Sequence, residues 1–352
     1  MAFSSYSPHS FAKDISILLT KILLGFATFV LSVGLIFGFL FKFHPSSVGW
    51  VIFMNHIHFP PFRNFSDLAV YNLQGENFFL DNGPVALGVW HLTEDAATPF
   101  VFEKQAQWTE RPVVMYIHGA QGSRAAYHRI QMYQLLRRMG CPVVTFDYRG
   151  YGDSSGVPTS ELDLLDDASA VYRWAVKKYP NRPIFFWGHS LGTGVSVRLV
   201  QTLEAASSRI SGLILDSPYS SMFDVMRSSP LLFPFHQVPA FTEILLDALE
   251  EVHMTLNSSE RVQHTRVPLL ILHAEDDWVI PVSLGRKLYD VAKQRGANVV
   301  TEFVEYSREF KYGHRGIYRD PNLPVIVADF MSRSLEWRDS PQSFEVDIEP
   351  QT

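Results

Sequence analysis

Four stretches of the chain, PVVMYIHG, PIFFWGHS, SGLILDSP and VPLLILHAEDD, carry apolar runs with no polar position inside them. A strand of that kind offers no face to water and must be covered on both sides, which is the condition of a parallel sheet between two layers of helix. Segments of helical pattern lie between the runs, at about 124–139 and in ELDLLDDASAVYRWAVKKY and VSLGRKLYDVAKQR. With ALGVWHL, PVVTFDY and NVVTEFVE as further strands, the alternation requires right-handed crossovers. The expected class is α/β, a mostly parallel sheet with helices on both faces.

The alternation fails once. From about residue 221 to 266 no strand is legible, and a structureless loop of that length is foreign to a compact domain. A helical cap over the sheet is expected there, made greasy by Phe233, Phe235, Phe241, Leu245 and Leu246. The α/β domain is then assigned to 67–340 and a C-terminal tail to 341–352.

Ahead of the domain, ILLGFATFVLSVGLIFGFLF at 22–41 is uncharged between Lys21 and Lys42. Its 20 residues, at the helical rise of about 1.5 Å, cover the roughly 30 Å of a bilayer's hydrocarbon. The run ends in Phe39-Leu40-Phe41-Lys42 rather than in the small residues of a cleavage site, so a retained transmembrane helix is expected, with a segment 1–21 before it and a linker 42–66 after it. Lys13 and Lys21, set against Lys42 and the distant Arg63, bias the N-terminus toward the cytoplasm and all that follows residue 44 toward the lumen or exterior. Asn64-Phe65-Ser66 and Asn257-Ser258-Ser259 have the form of glycosylation acceptors and agree with that side. A net charge of −6 with no block of Lys or Arg leaves no electrostatic footprint for nucleic acid. Cys141, the single cysteine, has no intrachain partner and reads as a buried structural thiol. The aromatic content of 14% points to an apolar ligand or a membrane neighbour.

Ligands of a buried parallel sheet sit beyond the carboxyl ends of its strands. Ser190 stands at such an end, in Gly188-His189-Ser190-Leu191-Gly192, with an apolar strand before it and a helical pattern after it. A nucleophile in a tight strand-to-helix turn needs neighbours almost without side chains, a demand Gly188 and Gly192 meet. Serine also needs a general base. His314 is the one histidine beyond the strand that closes in Glu275-Asp276-Asp277, and Asp277 precedes it in the order Ser, Asp, His. Asp277 is preferred as the orienting acid because it lies three residues past Ala274, while Asp276 reads as a turn carboxylate. The backbone N–H groups of Ala120, in the loop after the strand ending at His118-Gly119, and of Leu191 are expected to hold an oxyanion. His118 is read as shaping that loop, and Asp147, Arg149 and Asp153 as fixing FDYRGYGDSSG by hydrogen bonds and an ion pair. The sequence carries no HExxH, Cys/His cluster or P-loop, so no metal, nucleotide or other cofactor is implied.

VVMYIHG, VVTFDYRGYGDS, FWGHSLGTGV, PLLILHAEDD and HRGIY, in that order from about Ala86 onward, resemble the membrane-anchored α/β-hydrolases that act as monoacylglycerol and lysophosphatidylserine lipases. The resemblance implies an α/β-hydrolase fold in which Ser190, Asp277 and His314 match the triad, with the catalytic domain in the lumen of the endoplasmic reticulum. The loop HGAQGSR departs from relatives that often carry Asn after the first Gly. The expected activity is ester hydrolysis of a single-chain lipid through an acyl-enzyme, with lipid and membrane as partners. A protein depalmitoylating thioesterase or a general carboxylesterase would use the same residues. The non-enzymatic alternative is a catalytically dead hydrolase fold serving as a membrane-bound binding partner. Oligomeric state is left open.

Overall fold

The computed structural model describes residues 8–57, 63–95, 111–204, 210–295 and 299–338; the expected tail 341–352 and part of the expected linker lie outside them. Its eight strands are β1 (Gly75–Asn82), β2 (Val85–Leu92), β3 (Val113–Ile117), β4 (Val143–Phe146), β5 (Ile184–His189), β6 (Ile210–Asp216), β7 (Leu269–Ala274) and β8 (Thr301–Tyr306). They form one sheet in the order β1-β2-β4-β3-β5-β6-β7-β8. β1 and β2 pair antiparallel, β2 runs antiparallel to β4, and every remaining pair is parallel.

The helices are α1 (Pro8–Phe43), α2 (Val48–Phe53), α3 (Tyr127–Arg138), α4 (Glu161–Lys178), α5 (Leu191–Glu204), α6 (Met222–Ser228), α7 (Phe241–Glu251), α8 (Ser258–Val262), α9 (Val282–Ala292) and α10 (Leu323–Arg338). The unbroken apolar runs are explained by two cores. Along β5, Ile184 and Phe186 enter one cluster with α4, α5 and α9, while Phe185 and Trp187 enter another with α3 and α10. Each such fully buried side chain contributes about 1.5–3 kcal/mol of transfer free energy, and period-two alternation delivers it to both faces. Helix α4 starts with a Ser160–Asp163 capping box and ends in Lys177 and Lys178, charges that match both ends of its dipole. Its buried Glu161 accepts from Arg198, from Arg261 at 2.7 Å and from the Leu256 N–H at 2.5 Å. Those bonds tie the far end of the 222–262 helical stretch to the body of the domain.

The segment 22–41 belongs to a longer helix, α1, whose Phe11–Phe43 part includes an 18-residue window with a mean hydropathy of 2.4 and is long enough to cross a membrane. Leu23, Leu24, Phe26 and Phe29 are exposed. Val30, Gly34, Gly38 and Phe41, spaced for one helical face, are instead buried against the cap region. The Phe41 and Phe241 rings lie 6.2 Å apart, and a Cβ placed on Gly34 would stand 2.6 Å from Val238 Cγ2. Residues 42–66, expected as a linker, contain α2, whose Val48, Ile52 and Phe53 are part of the core. The sequence signal for that short helix is faint, because five or six residues show little periodicity.

Docking of α1 on the cap has a direct check. Gly34→Leu is expected to speed protease cleavage near Val238 in detergent micelles, while Gly25→Leu, whose Cβ would meet nothing within 4 Å, leaves it as in the wild type. Equal cleavage of the two variants would remove the docking contact from the account.

Candidate functional site

β5 ends at His189 and α5 starts at Leu191, leaving Ser190 between them in the left-handed region at φ 54°. A non-glycine residue held there costs about 1–3 kcal/mol, so the surroundings must impose it. They do so from both sides. The Ser190 N–H donates to the Asp216 carbonyl at 3.0 Å, and the Thr193 N–H and hydroxyl donate to the Ser190 carbonyl at 2.8 and 2.6 Å. A Cβ on Gly188 would stand 2.6 Å from Ser196 Oγ, and one on Gly192 would collide with the Ile117 carbonyl, so any larger residue would push the turn apart.

Two more strand ends deliver the partners. Past β7, the Asp277 Oδ1 accepts the N–H groups of Val279 and Ile280, each at 2.9 Å. Its Oδ2 lies 2.8 Å from His314 Nδ1, and His314 Nε2 lies 2.9 Å from Ser190 Oγ. All three side chains are buried. Burial raises the Asp277 carboxyl, but the charge of His314 and hydrogen bonds from His273 and His314 more than offset it and hold the group well below the usual carboxylate range. The His314 loop is fixed in turn: Asp276 Oδ1 accepts the Gly313 N–H at 2.9 Å, and His189 Nε2 lies 2.9 Å from the His314 carbonyl. Asp276 therefore serves the turn, and the structure brings Ser190, Asp277 and His314 into one hydrogen-bonded line. Such a line can move the hydroxyl proton onto an imidazole whose tautomer the carboxylate fixes.

Ala120, Ser190 and Leu191 line one cavity of about 430 Å³ with an otherwise apolar lining apart from Ser229 and the Tyr219 hydroxyl. Its walls come from the cap, through Met222, Met226 and Leu232, and from α2 and the residue that ends it, through Trp50, Ile52 and Met54. Sequence reasoning missed the second wall. It also missed what orients the Ala120 loop. Arg129, fully buried on α3, donates to the carbonyls of Ser123 at 2.7 Å, Gly119 at 3.0 Å, Ala120 at 3.3 Å and Gln121 at 2.9 Å. Drawing those oxygens to one side leaves the opposite side of the loop for its N–H groups. The signal was present: Arg129 shares its helix face with Met132, Tyr133 and Leu136, so a charge sits on an apolar stripe. From the other direction, the Phe53 carbonyl at the end of α2 accepts the Gln121 N–H at 3.2 Å and the Tyr151 hydroxyl at 2.5 Å.

His118 bonds the neighbouring Gly119 carbonyl through Nδ1 at 2.7 Å and sits 3.3 Å from Asp147 through Nε2, a loop-building position. Asp147 and Asp153 clasp Arg124 at 2.5 and 2.6 Å, whereas Arg149 turns away to Asp163, Asp166 and Asp167 on α4. Asn64 is exposed and accepts from Ser66 and Asp67 in a tight turn; Asn257 caps α8 by accepting the Glu260 N–H at 3.3 Å. Asp216, whose carbonyl holds the Ser190 N–H, is a buried carboxyl that burial, and then the charge of Asp277, push up to about 8.

Two measurements follow from this geometry. Arg129→Met is expected to lower kcat for a soluble ester about 100-fold, the scale of a misplaced oxyanion donor, with Arg129→Lys in between; a wild-type kcat in a folded Arg129→Met protein would show that the loop holds itself. The raised carboxyl of Asp216 contributes stability that is complete below its unfolded value of about 4 and is lost as pH rises through about 8. Asp216→Asn should therefore flatten the decline of Tm between those limits, and parallel Tm profiles for variant and wild type would contradict it.

Residues 112–315 match the family described as the alpha/beta hydrolase fold. The lysophosphatidylserine lipase ABHD12 of Danio rerio is 38% identical over 83% of this chain and 79% of its own, and that of Rattus norvegicus 35% identical over 92% and 82%. Protein ABHD12B of Homo sapiens is 35% identical over 73% of this chain and 72% of its own. Among solved structures, an esterase of Pyrococcus furiosus superposes with a TM-score of 0.59 at 20% identity, covering 79% of this chain and 97% of that one. Est1E from Butyrivibrio proteoclasticus, with ferulic acid bound, gives 0.54 at 18% identity over 74% and 99%. The sheet order, the strand-end residues and these relatives agree: this chain belongs to the α/β-hydrolase family, a serine ester hydrolase fold carrying an apolar N-terminal helix.

Proposed function

We propose that the protein is a membrane-anchored lipase that removes the acyl chain of single-chain phospholipids of the lysophosphatidylserine class. The observation that carries this reading is the position of Ser190: its Oγ meets His314 at 2.9 Å on the wall of an apolar cavity whose other wall, α2, continues from a helix long enough to cross a membrane. The relatives named as lysophosphatidylserine lipases support the substrate class.

In this reading His314 Nε2 takes the Ser190 proton as Oγ attacks the acyl carbonyl. The oxyanion is held by the Ala120 and Leu191 N–H groups, and Asp277 stabilises the imidazolium. Collapse of the tetrahedral intermediate transfers the proton to the leaving alcohol and leaves the acyl chain on Ser190; water, activated by the same histidine, then releases the fatty acid. The chain is divided into a span at 22–41, a catalytic domain at 67–340 and a cap at 221–266. The domain faces the lumen of the endoplasmic reticulum, a placement supported by the charge bias around the span and by the exposed Asn64 turn. The packing of α1 against Val238 and Phe241 brings the cap down to the bilayer, so a lipid tail can enter the cavity without crossing water.

A fluorophosphonate probe is expected to label the wild type and not Ser190→Ala, and His314→Asn should lose about 10⁴-fold or more of the hydrolysis of oleoyl lysophosphatidylserine while staying folded. Labelling of Ser190→Ala, or near-normal turnover by His314→Asn, would place the chemistry elsewhere.

A further inference from the structure

A second cavity, of about 470 Å³, lies beside the first and has the opposite character. Ala120 lines the apolar cavity, whereas the next residues of the same loop, Gln121 and Gly122, line the second one. Arg63, Arg315 and Arg319 converge on it with Tyr127, Tyr318 and His128, and among the described residues no acidic one lines it. The observed partners of these arginines are neutral. Arg315 Nη2 donates to Gln121 Oε1 at 3.0 Å, Arg319 donates to backbone carbonyls and lies over the Tyr312 ring, and Arg63 lies over the Tyr71 ring. His128 Nε2 is buried with no hydrogen-bond partner among the described residues. Burial and the nearby charge of Arg129 lower the Arg315 guanidinium, which marks a site of positive charge without its counter-charge.

The chemistry fixes which part of a substrate faces this cavity. The leaving alcohol receives its proton from His314 Nε2, so the leaving half of the ester must lie on the His314 side, and Arg315, Gly316, Tyr318 and Arg319 follow directly after that histidine. The acyl half lies on the other side of the Ala120–Gln121 loop, in the apolar cavity.

We infer that the cavity between the Gln121 loop and the His314 loop is a head-group subsite, in which Arg63, Arg315 and Arg319 bind the anionic phosphodiester of a single-chain phospholipid while its acyl carbonyl is at Ser190. This rests on the lipase reading above. Guanidinium groups suit it because their fixed N–H forks match phosphate oxygens two at a time. The same chemistry could hold phosphates of the surrounding bilayer, so the test separates the two sources.

The full chain carrying Ser190→Ala is assayed without turnover in neutral detergent micelles, by the Kd for oleoyl lysophosphatidylserine and for oleoylglycerol, which share a tail. Adding Arg63→Gln with Arg319→Gln is expected to weaken the first at least tenfold and the second less than threefold. Arg319→Gln alone, at an exposed position, should move the first in the same direction. An equal change for both lipids, or none for either, overturns the subsite. So does a loss confined to vesicles containing anionic phospholipid and common to both lipids, which would assign the arginines to the bilayer surface. The lipase reading stands or falls separately, on labelling of wild-type Ser190.

Discussion

A sheet covered on both faces leaves only the ends of its strands for chemistry, and the rest of this molecule is arranged around that constraint. The carboxyl ends of β3, β5 and β7 supply the Gly119 loop, Ser190 and Asp277, and the loop after β8 supplies His314. Because the parallel strands are held in register by their ladders, the four loops stand at fixed separations before any side chain is chosen. The strain at Ser190 is then local, borne by the backbone bonds to Asp216 and Thr193 and by two flanking positions too crowded for a side chain. Neighbouring packing sustains a conformation that the isolated turn would abandon.

How much of this was legible in the sequence follows from the range of each interaction. Runs such as IFFW declare a strand buried twice over, and a glycine-flanked serine after such a run declares its turn, because both signals are local. His314 and Asp277 were chosen by order and elimination, and the fold sets both in one hydrogen-bonded line with Ser190 although 124 positions separate Ser190 from His314. Arg129 and α2 escaped for a shared reason. Each acts on backbone groups of the Gly119–Gln121 loop, which every residue possesses, so even the charge that Arg129 sets on an apolar helix stripe does not reveal its target. Arg149 shows the same limit: its charge was evident, but its partners on α4 could be known only once the helix was placed.

Charge is distributed with the same economy. Asp147 is fully buried beside Arg124 and His118, and its carboxyl stays low: burial would raise it, but the guanidinium of Arg124 and the bond to His118 outweigh that. Asp216 has no cation to offset its burial and stays protonated near neutrality, so the Asp277 carboxylate is the nearer negative charge for His314. Two buried acids at neighbouring strand ends are thus driven to opposite protonation states by their surroundings.

The Phe53 carbonyl has a consequence for where the folded unit begins. A membrane anchor joined through slack chain could be exchanged for another anchor without consequence to the domain it tethers. Here the apolar helix α1, long enough to cross a membrane, is followed at once by α2, and α2 closes hydrogen bonds with Gln121 and Tyr151. Counted by its bonds rather than by its first strand, the hydrolytic unit starts near Val48, within a few residues of the end of α1. Cutting the chain ahead of β1 would remove a wall of the apolar cavity and a support of the Gly119–Gln121 loop together.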